Sequence, residues 1–81
     1  MDLVSYIEFL VKSIASLPDM VRVKEIGRDE NSIQIEVLIK ESDMGVVIGR
    51  QGNTAKAIRI IAQTYSNLHE KKRVKINIES F

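Results

Sequence analysis

Residues 45–59 read GVVIGRQGNTAKAIR, and two glycines stand three positions apart in this stretch, at Gly49 and Gly52. Glycine has no Cβ, so the backbone can turn tightly here and a ligand can approach it closely. The residues after Gly52 have helical spacing, so a helix that begins there would point its unpaired amides and positive dipole end at the loop. Three basic residues lie in the loop and on the first turns of that helix: Arg50, Lys56 and Arg59. The stretch therefore predicts a seat for a phosphate group between two helices.

On the N-terminal side of this stretch, the sequence predicts one helix and two strands. Apolar residues recur at helical spacing over residues 2–17, and Pro18 ends the helix because the residue before a proline is pushed out of the helical conformation. An extended segment begins at Val21, and aliphatic residues recur at every second position from Ile33 to Ile39, in the pattern of a strand. Polar turn formers over residues 27–32 connect the two strands, so an antiparallel hairpin is expected.

The glycine loop itself lies between two predicted helices, and a third strand closes the chain. Ser42 can cap a short helix that runs to Ile48, and a longer helix covers residues 53–68. Residues 73–79 alternate again, and a right-handed crossover makes this third strand parallel to the second, in the order 1-2-3. The 81 residues thus predict a single α+β domain whose three-stranded mixed sheet is covered on one face by helices.

The order helix, strand, strand, helix, helix, strand, with VIGRQG at 47–52 and AKAIR at 55–59, resembles a type II KH domain of the bacterial kind. The chain is similar above all to small single-domain RNA-binding proteins of the KhpA type, and the resemblance covers residues 1–81. This family implies a groove for about four nucleotides of single-stranded RNA, with the glycine loop clamping the backbone. It also implies a role as an RNA chaperone or a post-transcriptional regulator.

The resemblance implies roles for particular residues. Residues 49–52 would form the clamp, while strand two, the start of the next helix and one of Val47 and Ile48 would form an apolar floor under the bases. The loop at 69–73 takes the family's variable-loop position and would edge the groove, although its basic run fits a solvated loop equally well. Relatives often have a basic residue where this chain has Asn53, which leaves a weaker phosphate contact or an N-cap there. The implied RNA-binding residues are Val47, Ile48, Gly49, Arg50, Gln51, Gly52, Asn53, Thr54, Lys56, Arg59, Lys71 and Lys72.

The long helix after the loop has two apolar stripes at helical spacing. The stripe expected to face the sheet consists of Ile58, Ile61, Ala62 and Tyr65. The second stripe consists of Ala57, Ile60, Ile61, Thr64 and Leu68. One sheet face cannot cover both, so the second stripe either packs against the N-terminal helix or forms an interface with another chain. The resemblance favours the interface, in a homodimer or in a heterodimer with another KH-domain protein.

Several function classes lack the residues that they need. The chain has no cysteine and one histidine, so a structural zinc site and a Ser-His-Asp triad have almost no support. It has no G-x-x-x-x-G-K-[ST] motif, and its glycines do not follow a strand as G-x-G-x-x-G, so neither ATP nor a dinucleotide is indicated. No enzymatic activity, cofactor, metal ion or small-molecule substrate is therefore expected.

The net charge of +1 means that any attraction to nucleic acid must come from the local arrangement of basic residues. The N-terminus lacks the basic region and unbroken apolar run of a signal peptide, and no stretch reaches transmembrane length, so a cytoplasmic protein without a membrane partner is expected. Two alternatives to RNA binding remain open. One is a protein-interaction module with a KH fold, which the basic loop tip argues against, and the other is a single-stranded DNA binder that uses the same groove.

Overall fold

The structure, a computed structural model, describes residues 2–81 and contains three helices and three strands in that range. The elements are α1 (Leu3–Ile14), β1 (Arg22–Arg28), β2 (Ser32–Ile39), α2 (Glu41–Ile48), α3 (Asn53–His69) and β3 (Arg73–Ser80). Short 3₁₀ turns at Pro18–Met20 and Arg50–Gly52 precede β1 and α3. Over residues 2–81, no helix combines the length and the apolar character needed to cross a membrane.

The sheet has the strand order β1-β2-β3. β2 pairs antiparallel with β1 and parallel with β3, and Ile35 of β2 lies opposite Glu25 of β1 and Ile76 of β3. A β-bulge between Glu25 and Gly27 shifts the register of β1 near the hairpin turn. The predicted α+β fold, with its mixed three-stranded sheet and the element order of a type II KH domain, is confirmed.

The core lies between one face of the sheet and the helices. β2 is central, and its four inward side chains are fully buried: Ile33, Ile35, Val37 and Ile39. The helices contribute the apolar residues Leu3, Ile7, Val11, Val47, Ile58 and Ala62. Burying an aliphatic side chain of the size of valine or isoleucine contributes roughly 1.5–3 kcal/mol, so this cluster accounts for most of the stabilisation that packing provides.

The end of α1 differs from the prediction. The helix stops at Ile14, three residues before Leu17. The backbone amides that follow the helix hydrogen-bond to Asp43 of α2. The backbone N–H groups of Ser16 and Leu17 donate to the Asp43 carboxylate at 2.9 and 3.0 Å, and the Ser16 hydroxyl donates to it at 2.6 Å. The Ser16 hydroxyl, followed by these amides, holds the pKa of the Asp43 carboxyl below its ordinary value. Asp43 thus ties the end of α1 to the helix that leads into the glycine loop.

The start of α2 also differs from the prediction. The helix begins at Glu41, and the residue in the N-cap position is Lys40, whose side chain makes no capping hydrogen bond. Ser42 therefore lies inside the first turn, and its assignment as the cap is wrong. Two acidic residues in that turn, Glu41 and Asp43, suit the positive end of the helix dipole.

Candidate nucleic-acid interface

The backbone of the glycine loop is left-handed at three of its four positions. φ is +78° at Gly49, +55° at Gln51 and +76° at Gly52. A Cβ added at Gly49 would lie 2.8 Å from the backbone nitrogen of Thr54 and 2.6 Å from its Cβ, so the loop packs directly on the start of α3. A Cβ at Gly52 would meet open space, so glycine is needed there only for its backbone conformation.

Gln51 is the unusual residue of this loop. A left-handed backbone costs a residue with a Cβ roughly 1–2 kcal/mol, and here the surrounding glycines hold it in place. Its side chain and that of Arg50 are exposed, so both project from the tip of the loop into solvent. Strain retained at an exposed tip points to a functional role for the tip, since nothing in the packing of the core requires it.

The N-terminus of α3 opens onto this loop. Its N-cap residue is Gly52, and no side chain within residues 2–81 caps the helix. The first turn contains no acidic residue, so the positive dipole end of this 17-residue helix can attract an anion. The amides of Gly52 and Asn53 are already paired with the carbonyls of Gly49 and Arg50. Asn53 is already inside the helix, so the alternative in which Asn53 serves as the N-cap is wrong.

The residues beside the loop divide between core and surface. Val47 is fully buried in the core, whereas Ile48 is half-buried and reaches the surface, so Ile48 is the member of this pair that can contact a base. Thr54 is half-buried against Gly49. Lys56 is exposed and, like Arg50, has no hydrogen bond or ion pair with the described part of the chain.

A groove lies between α3 and β3. Arg59 and Gln63 of α3 and residues 73–76 of β3 line a space of about 450 Å³. The Gln63 Oε1 atom accepts a hydrogen bond from the Val74 N–H at 2.9 Å, and the Arg59 Nη2 atom donates to the Ile76 carbonyl at 3.3 Å. These contacts place α3 along the free edge of β3.

The strand that lines the groove is β3, and the expectation of strand two as its floor is wrong. β2 has a hydrogen-bonded strand on each side, and its inward side chains are buried under the helices, so it cannot form the floor of this groove. β3 is an edge strand whose outer row of backbone groups faces α3. The predicted strand order 1-2-3 already placed strand two in the middle of the sheet. That order could have identified β3, an edge strand, as the strand that lines the groove.

The basic loop after α3 lies far from the glycine loop. Seventeen helical residues separate the two loops, a distance of about 25 Å. The Lys72 Nζ atom donates to the Asp29 carbonyl at 2.9 Å, so this loop packs beside the β1–β2 turn. Lys71 has a left-handed backbone and an exposed side chain. The structure therefore brings Arg50 and Lys56 to one end of α3 and places Lys71 and Lys72 at the other. Arg59 lies between them, in the groove beside Ile76.

The second stripe of α3 is exposed. Ile60 and Leu68 are 60% and 75% exposed, and Ala57 and Thr64 are exposed as well. Ile61, which was also expected to face the sheet, is 37% exposed, so that part of the prediction is wrong. The stripe forms a shallow groove of about 240 Å³ lined by Tyr6, Ile60, Ile61, Thr64, Tyr65 and Leu68. The alternative in which α1 covers this stripe is therefore wrong, since Tyr6 is the α1 residue that reaches this groove.

These features define the class of the protein. A two-layer α+β domain with a mixed three-stranded sheet, in which a G-x-x-G loop joins two helices, is a type II KH domain. The family model described as "KhpA/KhpB, KH domain" matches residues 4–78, and the chain belongs to this family.

Known members of the family resemble the chain over most of its length. It is 42% identical over 72 residues to RNA-binding protein KhpA of Clostridium acetobutylicum, which covers 89% of this chain and 93% of the relative. It is 30% identical over 74 residues to RNA-binding protein KhpA of Chlamydia trachomatis, which covers 91% of this chain and 90% of the relative.

Among solved structures, the fold resembles one part of Era. Era from Aquifex aeolicus bound to GDP·AlF4− superposes with a TM-score of 0.78 at 16% identity, covering 98% of this chain and 30% of Era. A complex of Era with MgGDPNP and a segment of 16S ribosomal RNA gives a TM-score of 0.72 at 18% identity, covering 96% and 29%. The chain thus spans less than a third of Era, and this likeness shows the fold alone.

Proposed function

We propose that this protein binds short single-stranded segments of RNA, with residues 49–52 clamping the backbone and the α3–β3 groove receiving the bases. The observation that carries the proposal is the strained, left-handed loop whose basic tip stands in front of the uncapped N-terminus of α3. The relatives named RNA-binding protein KhpA support it, because they match nearly the whole chain.

In this proposal the phosphates are held by backbone and charge. One phosphate lies against the N-terminal end of α3 beside Gly52, where a Cβ would meet open space and no side chain stands in the way. Arg50 adds a charge-assisted hydrogen bond at the tip, and Lys56 lies one helical turn further along the path. The clamp reads no sequence, since contacts to phosphate and sugar fix position without reporting base identity.

The bases are read at the edge of β3. In a parallel pair of strands, every second residue of a strand points its N–H and C=O groups away from the partner strand. Val74 and Ile76 of β3 are such residues, because their backbone groups bond to Gln63 and Arg59 of α3 and not to β2. Ile78, two residues further toward the clamp, points the same way. Its free backbone groups can hydrogen-bond to the edges of unstacked bases, and Ile48 supplies apolar contact.

Such a site suits an RNA chaperone or post-transcriptional regulator in the cytoplasm, because it holds a few unpaired nucleotides by contacts that most sequences can make. The second stripe of α3 is proposed to pair with a second copy of the chain. Leu68 protrudes at the rim of the groove that Tyr6 and Ile60 help to line, so each copy can fill the groove of the other across a two-fold axis. A heterodimer with another KH protein would use the same face.

The double variant Arg50→Asp with Gln51→Asp tests the clamp. We expect it to lose RNA binding while thermal unfolding stays unchanged, since both side chains are exposed and the new charges repel phosphate. The control is Lys12→Asp with Ser13→Asp, which makes the same change in net charge at exposed positions of α1. Fluorescence anisotropy with a labelled, randomised ten-nucleotide RNA measures both.

The same assay decides between the candidate functions. If the double variant at positions 50 and 51 is folded and binds RNA with wild-type affinity, residues 49–52 do not clamp the RNA backbone. Equal affinity for DNA of the same sequences makes the protein a general single-strand binder, because a 2′-hydroxyl contact is what separates RNA from DNA. No binding of either nucleic acid by the wild type leaves the interaction module as the function.

A further inference from the structure

The side chains of two basic residues of β3, Arg73 and Lys75, have no partner in the described chain. Lys12, Lys24 and Arg28 are paired with carboxylates, whereas the Arg73 and Lys75 side chains make no ion pair or hydrogen bond within residues 2–81. Their neighbours across the sheet are neutral, because Arg73 lies opposite Ser32 and Lys75 lies opposite Gln34. The sheet therefore leaves two unneutralised cations side by side on its edge strand.

Both side chains line the groove between α3 and β3. β3 runs back along α3, since Gln63 contacts Val74 and Arg59 contacts Ile76. Gln63 is ten residues into α3, about 15 Å from its N-terminus, so the two cations lie at the end of the groove away from the clamp. Residues 73 and 75 point to the same side of the strand with a spacing of about 6.6 Å, so they present their charges together.

We propose that Arg73 and Lys75 form a second phosphate-binding site, so that RNA held by the clamp lies along the whole α3–β3 groove. This rests on the proposed RNA binding and extends it. The chemistry favours a nucleic-acid backbone, because two cations with no acidic residue directly opposite them in the sheet attract a polyanion and contribute no sequence preference. Lys71, exposed at the same end of α3, continues the basic track beyond them.

The double variant Arg73→Gln with Lys75→Gln tests the site through the salt dependence of affinity. For a randomised ten-nucleotide RNA, we expect the slope of log affinity against log salt to become shallower by about 1.4, since each phosphate contact contributes about 0.7 for single strands. The control is Lys12→Gln with Lys24→Gln, which removes the same charge from two residues whose partners are carboxylates of the protein. We expect the slope of the control to equal that of the wild type.

A length series completes the test. With RNAs of three to ten nucleotides, wild-type affinity is expected to rise until the strand reaches from the clamp to Arg73 and Lys75, and the β3 variant is expected to reach its plateau at a shorter length. The second phosphate-binding site would be overturned if the β3 variant, the control and the wild type gave the same salt slope and the same dependence of affinity on RNA length. The clamp variant at positions 50 and 51 is measured in parallel. If it binds normally while the β3 variant shows the altered slope, the clamp fails and the β3 site stands.

Discussion

At the scale of single residues, the two loop glycines are required for different reasons. Gly49→Ala places a Cβ against Thr54 in addition to forcing a left-handed alanine, whereas Gly52→Ala only forces the backbone. We expect Gly52→Ala to lower the free energy of unfolding by about 1–2 kcal/mol and Gly49→Ala to lower it by more than that. Urea unfolding followed by circular dichroism measures both, and equal losses would contradict the contact with Thr54.

The sequence pattern did not indicate the structural role of Asp43. It is buried, and its carboxylate accepts from the Ser16 hydroxyl and from two backbone amides. Because the pKa of Asp43 is lowered in the folded protein, its contribution to stability is present above the unfolded pKa of about 3.9 and is lost as pH falls through the lower, folded value. The folded protein should therefore lose stability below about pH 4.

Asp43→Asn tests this contribution. We expect a lower melting temperature at neutral pH and a weaker dependence of melting temperature on pH in the acid range, because the titrating group is gone. Some dependence of the melting temperature on pH should remain in the acid range, since hydrogen bonds also lower the pKa values of Asp2 and Asp29. Glu30→Gln, at an exposed position without a hydrogen bond in the described chain, is the control. A variant that melts like the wild type at every pH would contradict the role of Asp43.

At the scale of elements, the strands were predictable and the faces of α3 were not. β2 alternates strictly because only one of its sides is buried. α3 buries Ala62 and Ser66, a small and a polar residue, because it packs close to the sheet and the Ser66 hydroxyl donates to the Lys72 carbonyl at 2.6 Å. Hydrophobic periodicity gives no weight to such residues, so Ile61 was assigned to the sheet although it is exposed.

The backbone of the glycine loop was readable from the sequence, and the groove between α3 and β3 was not. Two glycines before a helix specify the local backbone without help from distant residues. The other wall of the groove depends on which strand forms the edge, and the place of Lys71 and Lys72 depends on the length of α3. Both follow from tertiary arrangement, which a resemblance that assigns residues one by one does not describe.

At the scale of the whole molecule, the exposed stripe of α3 predicts a dimer. We expect the wild type to sediment as a dimer at micromolar concentration and Ile60→Glu to sediment as a folded monomer with an unchanged circular dichroism spectrum. The reason is that Ile60 is 60% exposed and adds little to the core of one copy, while a charge buried in the interface is strongly unfavourable. Lys12→Glu on α1 is the control. A wild type that sediments as a monomer would remove the dimer.

Dimerisation would place two clamps on one particle. An RNA with two unpaired segments could then engage both, and the second contact would form at a high effective concentration. Ile60→Glu should therefore weaken binding of an RNA with two such segments and leave binding of a single short segment unchanged.

The partial cover over β3 also bears on how the protein avoids aggregation. An open strand edge is a template on which another polypeptide can add a strand. Side chains of Gln63 and Arg59 occupy the edge at Val74 and Ile76, so the half of the strand farther from the clamp is closed to such pairing. On β3, the half near Ile78 stays open. The length of β3 edge exposed to unwanted strand addition is therefore confined to the segment where bound RNA would shield it.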